Sequence, residues 1–356
     1  MTVEKELEKS SVEEFKTTVE KDAKMTLHNL NRFDLAAETD LAQDVYVLKG
    51  PKEFSAYSYK TLGPKNMVAD MMFEHNDRTF YDSIAQDIAA LAINRLITIG
   101  AAPVFLNLSL ITSDPNWVDC TKRAKDLSHG LKQACLLAKC ASAGATIKSN
   151  KNMVYPGMAI MVGSAGGVIG DRKNLITGNI TDGDAIILIR SSGMHSSGFN
   201  LVDEIAAKLS ASYATRIGDS DAHPTFGEIL LAPSLIYSPI IKECQKKHIG
   251  IHYVVDIDNW TDLMRHPKNF SYVIEEAPIP HPIFNFMQKQ GGIDDKLAYA
   301  NFNMGAGLAL YVARDQAEAI VELAYQQGFK AQIAGHIESG PRRELIIESK
   351  SLVYTI

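Results

Sequence analysis

An apolar run, Ala185-Ile186-Ile187-Leu188-Ile189, leads directly into Ser191-Ser192-Gly193-Met194-His195-Ser196-Ser197-Gly198-Phe199-Asn200. A helical pattern follows, with Val202, Ile205, Ala206 and Leu209 on one face. This order predicts a strand, a glycine- and hydroxyl-rich turn, and a helix start. The first N–H groups of a helix lack internal partners and its dipole favours negative charge, so the turn suits an anion or nucleotide. Gly193 and Gly198 supply the positive φ angles of a tight turn. Two readings stand: a serine-capped helix, or a site in which Ser196, Ser197 and Gly198 hold a phosphate or other anion beside His195. His195 is the one candidate catalytic group. A serine nucleophile with His195 as base lacks a glycine elbow and an assignable orienting acid.

At 356 residues the chain is too long for one ordinary core. Strand and helix patterns intermix in both halves, which predicts α/β or α+β layers in two domains. Residues 1–30, rich in Glu, Lys, Ser and Thr, are expected as an arm that is helical or loosely ordered. The first domain is expected over 31–166 and the second over 167–356, with Gly166-Gly167 and Gly170 as a loose passage between them. Long helices are predicted from Phe80 to Ile99 and from Trp117 to Ala143, the latter closed by Gly144. A helical stretch near Phe226–Glu243 contains the hinge-like Pro233.

Net charge is −6, which gives no general footprint for nucleic acid or anionic membrane. No apolar run approaches the roughly 20 residues that span a bilayer, and the charged N-terminus lacks the apolar core of a secretory signal. These features predict a cytoplasmic protein. Cys120, Cys135, Cys140 and Cys244 form no C-x-x-C pair and have no histidine at zinc-finger spacing. They read as small buried side chains or free thiols. No metal site is expected.

The decapeptide from Ser191 resembles the S-S-G-x-H-S-N-G-[YF]-S element of phosphoribosylformylglycinamidine cyclo-ligase, also called AIR synthetase. Asn301-Phe302-Asn303-Met304-Gly305-Ala306-Gly307 is similar to that family's T-F-N-C-G-V-G-M segment. Ile180 to Asp184 and Ala331 to Ile337 match its turn and closing strand in order and rough spacing. The resemblance implies a two-domain fold whose N-terminal strands form a β-barrel across a homodimer. A C-terminal α/β domain flanks that barrel, with a nucleotide cleft between domains. It also implies ATP and magnesium, used to close the ring of formylglycinamidine ribonucleotide in purine biosynthesis.

The motifs that carry this chemistry are altered. The family's D-G-V-G-T-K loop corresponds to Lys60-Thr61-Leu62-Gly63-Pro64-Lys65-Asn66-Met67. Leu62 stands near the aspartate, and Pro64 removes a donor that would cradle phosphate. Lys65 is expected either as a phosphate contact or as a surface lysine. The family's N-D pair reads Asn94-Arg95, so a magnesium-binding carboxylate has become a cation, which suits phosphate or pairing with Asp87 two turns earlier. The G-G-E-T-A loop corresponds to Ala143-Gly144-Ala145-Thr146-Ile147-Lys148, without its glutamate. The glycines of H-x-T-G-G-G, which hold phosphate in the family, are Asp256-Ile257-Asp258 here. These aspartates are expected as N-caps, or as receivers of an amine or metal.

Three functions remain open on the sequence. The chain is AIR synthetase itself, a noncatalytic dimeric scaffold or regulator, or a diverged enzyme in which Lys65, Arg95 and Lys148 replace metal.

Overall fold

The computed structural model describes residues 3–38, 41, 45–218 and 222–356. Among these, helix α1 (Val3–Lys24) precedes a six-stranded sheet. Its strands are β1 (Ala36–Glu38), β2 (Tyr46–Lys49), β3 (Phe54–Thr61), β4 (Ala102–Thr112), β5 (Ala141–Ser149) and β6 (Ala159–Ile169), in the order β1-β2-β3-β6-β4-β5. All neighbours are antiparallel except β4 and β5. On the face built from Phe54, Ala56, Leu106, Leu108, Leu110, Met161 and Ala165 the side chains are buried, whereas Tyr57, Tyr59 and Ile160 on the other face are exposed. Helices α2 (Lys65–Asn76), α3 (Tyr81–Ile97), α4 (Pro115–Val118) and α5 (Thr121–Ala138) complete this half. Asp114 caps α4 by accepting the Asn116 N–H, with Pro115 in the first turn.

In the second half the strands are β7 (Ala185–Arg190), β8 (Ile251–Asp256), β9 (Phe270–Ile274), β10 (Ala306–Val312), β11 (Ala331–Ser339), β12 (Glu344–Ile347) and β13 (Leu352–Thr355). They form a seven-stranded sheet in the order β13-β12-β9-β11-β7-β10-β8. Its helices are α6 (Phe199–Ala206), α7 (Phe226–Leu230), α8 (Ser238–Lys246), α9 (Pro282–Gly291), α10 (Asp295–Asn301) and α11 (Ala317–Gln326). β7 and β10 are buried along nearly their whole length, as expected for near-continuous apolar runs at a sheet centre.

Three sequence expectations are corrected. Gly166 and Gly167 are not a loose passage: both lie in β6, which runs on to Ile169 and pairs with β3 and β4. The helix expected to reach Ala143 ends at Ala138. Lys139 takes a left-handed φ of 56°, and the Cys140 N–H bonds the Cys135 carbonyl at 3.0 Å, so the chain turns without glycine and enters edge strand β5. The stretch near Phe226–Glu243 is two helices, α7 and α8. The intervening backbone is docked on α3 instead: Gln86 donates to the Ser234 carbonyl and Asn94 to the Leu235 carbonyl, both at 2.9 Å. Asn94 Oδ1 also accepts the Tyr237 N–H at 3.0 Å. α3 thereby joins the two halves, with one flank on the first sheet and the other on the second half's 234–237 segment.

Candidate functional site

The turn after β7 is held by side chains from distant elements. Asn303 Nδ2 donates to the carbonyls of Gly193 (2.9 Å) and Met194 (3.0 Å), while its own carbonyl accepts from the buried Trp260 indole at 2.8 Å. Ser192 Oγ donates to the Pro233 carbonyl at 2.6 Å, and His281 Nε2 to the Ser191 carbonyl at 2.8 Å. Gly198 has φ of 78°, and a Cβ there would lie 2.7 Å from the Phe302 ring, so glycine is required on both counts.

Within this frame His195 is buried and takes a left-handed φ of 59°. Its Nε2 accepts the Ser192 N–H at 3.3 Å, which fixes the ring proton on Nδ1. Burial, with the nearby Lys65 and His281, pushes its pKa down to about 3. The imidazole is therefore neutral near pH 7 and serves the loop's own backbone. Ser197 Oγ donates to the Asp258 carbonyl at 3.0 Å, and Ser196 Oγ lies 3.3 Å from Ser234 Oγ. Neither serine caps α6, whose N-cap is Gly198 with no side-chain hydrogen bond. The serine-cap reading is corrected: the two hydroxyls tie the loop to the 234 and 258 segments.

Lys65 is neither a surface residue nor a free cation. It opens α2 behind Pro64, and its side chain is wholly buried. Nζ is 2.8 Å from Asp87 Oδ2 and donates to the carbonyls of His195 and Ala232, both at 2.9 Å. Two backbone hydrogen bonds and one ion pair thus hold the ammonium. Asp87 Oδ1 accepts from both the N–H (2.8 Å) and the Oγ (2.6 Å) of Ser234. Burial lowers the Lys65 pKa and raises that of Asp87, and each ion opposes the other's shift.

The expected pairing of Arg95 with Asp87 is not formed, because Lys65 and Ser234 occupy that carboxylate. Arg95, only 5% exposed, instead acts electrostatically on Asp256 and Asp258, and its Nε has no hydrogen-bond partner. Asp256 ends β8 and is buried. Burial, offset by Arg95 and reinforced by Asp258, raises its pKa to about 7. Asp258 is raised as well, by burial and by Asp262. Neither is the N-cap. Asn259 fills that role for the turn 260–264, accepting the Thr261 N–H at 3.0 Å, and Asp262 reaches back to the N–H groups of Asp258 and Asn259. Arg265 closes the group 2.7 Å from Asp262.

Lys148 stands on the exposed strand β5, whereas Lys65 lies in the interior, so the three basic residues do not share one surface. A cavity of about 730 Å³ lies between the 61–67 segment and residues 151–160. Leu62, Pro64, Met67, Met153, Tyr155 and Met158 line it, with Lys151 as its cation. Among the described residues no group of three or more His, Cys, Asp or Glu side chains is placed to hold a metal ion.

The sequence reading missed Ser234 and the bracing roles of Asn303 and Asp262. Asn303 lies inside a segment already singled out. Ser234, directly after Pro233, carried no periodic signal.

Two α+β halves joined through α3, with a glycine turn pinned between them, define a two-domain fold seen in solved structures. "AaThiL complexed with AMPPCP and TMP" matches with a TM-score of 0.59 and 15% identity, covering 88% of this chain and 90% of that one. The "Crystal structure of HypE-HypF complex" matches at 0.60 and 16%, covering 88% and 92%. Sequence makes the assignment narrower. The family of AIR synthase related proteins matches through its N-terminal domain over residues 63–168 and its C-terminal domain over 181–348, and the chain belongs to that family. The phosphoribosylformylglycinamidine cyclo-ligase of Lachnospira eligens is 30% identical over 287 residues, covering 79% of this chain and 80% of the relative. The human trifunctional purine biosynthetic protein adenosine-3 is 28% identical over 312 residues, which cover 82% of this chain and 29% of that protein.

Proposed function

We propose that the chain is a noncatalytic member of the AIR synthase related family: a cytoplasmic, dimeric homologue of the purine-pathway cyclo-ligases that does not bind magnesium–ATP as they do. The observation that carries the reading is the Lys65–Asp87 ion pair. In the family's activation chemistry, metal ions and cations neutralise a transferring phosphoryl group. Here the lysine of the phosphate loop is turned inward, paired with Asp87 and donating hydrogen bonds to the His195 and Ala232 carbonyls. Pro64 has no N–H to offer, and the retained carboxylate is wholly buried. Arg95 stands where the family has a metal-binding aspartate, and Asp256 and Asp258 stand where its glycines hold phosphate. These residues do not fit a magnesium triphosphate.

A small anionic or nucleotide ligand at Ser196, Ser197 and Gly198 belongs to this proposal, since α6 begins there without a side-chain cap. Dimerisation is supported by the exposed Tyr57, Tyr59 and Ile160 on one face of the first sheet, an apolar surface suited to closing a barrel against a second copy. The division into two domains is part of the same reading, with the boundary after Ile169, where β6 ends, rather than between residues 166 and 167.

The competing reading, active ring closure, draws on the 30% identity to the Lachnospira eligens enzyme. A turnover assay separates the two. The purified chain and that enzyme are each given formylglycinamidine ribonucleotide, ATP and magnesium. The proposal expects ADP release at the rate of a no-enzyme blank. Ring closure within about tenfold of the relative's rate, some 1.4 kcal/mol of barrier, contradicts it.

A further inference from the structure

The cysteines at the end of α5 form a pair that neither the fold nor the proposed function employs. The helix closes in a Schellman turn: the Cys140 N–H reaches the Cys135 carbonyl at 3.0 Å, and the Lys139 N–H reaches the Leu136 carbonyl at 3.3 Å. In this turn the side chains flanking the 6→1 bond meet, usually as a hydrophobic contact. Here the two positions are both cysteine, so the turn brings their side chains together. Cys135 is buried and Cys140 is partly exposed, and both are free thiols. The interaction holds the Cys135 thiol below its ordinary pKa and pushes the Cys140 thiol up, as expected when the Cys140 S–H donates to the Cys135 sulfur. Cys120 and Cys244 have no such interaction with another cysteine among the described residues.

We propose that Cys135 and Cys140 are an oxidative modification site that closes to an intramolecular disulfide on reaction with a low-molecular-weight disulfide. Cys140, the thiol that reaches solvent, attacks one sulfur of the small disulfide as its proton passes to the neighbouring Cys135 sulfur, and that proton leaves with the second small thiol in the next step. One small thiol leaves, and a mixed disulfide remains on Cys140. The Cys135 sulfur then attacks Cys140 Sγ and expels the second small thiol. Two protein S–H bonds are lost, one S–S bond forms, and the small disulfide is reduced to two thiols. The bond ties the last turn of α5 to the residue just before β5. It is independent of whether the protein turns over any substrate.

The test uses the full-length protein, reduced and then treated with excess oxidised glutathione. Intact mass and free-thiol titration are read before and after. The expected result is a loss of two hydrogens, a fall from four free thiols to two, and a Cys135–Cys140 cross-link on peptide mapping, all reversed by dithiothreitol. Cys140→Ser should keep its mass within one glutathione adduct and form no internal bond. Cys120→Ser combined with Cys244→Ser should still lose two hydrogens. A stable glutathione adduct on wild-type Cys140 beside a free Cys135 overturns the proposal. So does a cross-link that joins other cysteines, or an unchanged mass under conditions that oxidise the unfolded chain.

Discussion

Lys65 Nζ lies 2.8 Å from Asp87 Oδ2, and neither side chain touches solvent. The first residue of α2 and the middle of α3 are thereby fastened together, and through Ser234, His195 and Ala232 to the second half. Removing one partner from a buried ion pair leaves an uncompensated charge. Replacing both with apolar groups costs much less. Lys65→Met should therefore destabilise the fold by about 3–5 kcal/mol, and adding Asp87→Leu should recover at least half of that. Urea denaturation of the single and double variants measures it. A single-variant loss under about 1 kcal/mol, the range of an exposed pair, would show that the pair is open to water.

His195 is held neutral, with its pKa near 3. In the unfolded chain a histidine binds a proton near pH 6.5. Below that pH the unfolded state takes up a proton that the folded state refuses, so stability contributed by His195 is full above about pH 6.5 and falls as acid is added. His195→Gln lacks this titration. Its deficit relative to wild type should shrink by about 1.4 kcal/mol per pH unit between pH 6 and 4. A deficit that stays constant over that range would mean the imidazole is charged or solvated in the fold.

Asp256 has the opposite linkage. Its folded pKa of about 7 lies above the unfolded carboxylate value. The folded state holds a proton that the unfolded state has released, so stability declines as pH rises towards 7 and is flat above it. Asp256→Asn should gain on wild type by roughly 1.4 kcal/mol for each pH unit crossed in that window, and the gain should be complete by pH 8. The His195 contribution is common to both proteins and cancels in the difference. Equal differences at pH 5 and pH 8 would place Asp256 in water.

Much of this was legible from residue pattern. Ala185–Ile189, the turn to Gly198 and the helix from Phe199 announced themselves, because a fully apolar strand followed by glycines and hydroxyls has few other uses. The family's motifs located Lys65, Arg95 and Asp256, but not what those side chains do. A lysine after a proline reads as exposed in any local window, and only the carbonyls of His195 and Ala232, 130 and 167 residues away, show that it is interior. The end of α5 failed for a different reason. Lys139 adopts the left-handed conformation that pattern rules assign to glycine, so the pattern alone places the stop at Gly144. Edge strand β5, exposed throughout, offered no apolar alternation to find.

The most direct measurement is calorimetric titration of the purified chain with ATP, with and without magnesium. With Lys65 paired to Asp87 and Arg95 proposed to stand at the family's metal position, magnesium should leave the ATP affinity unchanged within about twofold, under 0.5 kcal/mol. Binding that tightens tenfold or more with magnesium would contradict the account, because it would require a carboxylate and a phosphate-holding lysine where the structure has an arginine and a closed internal pair.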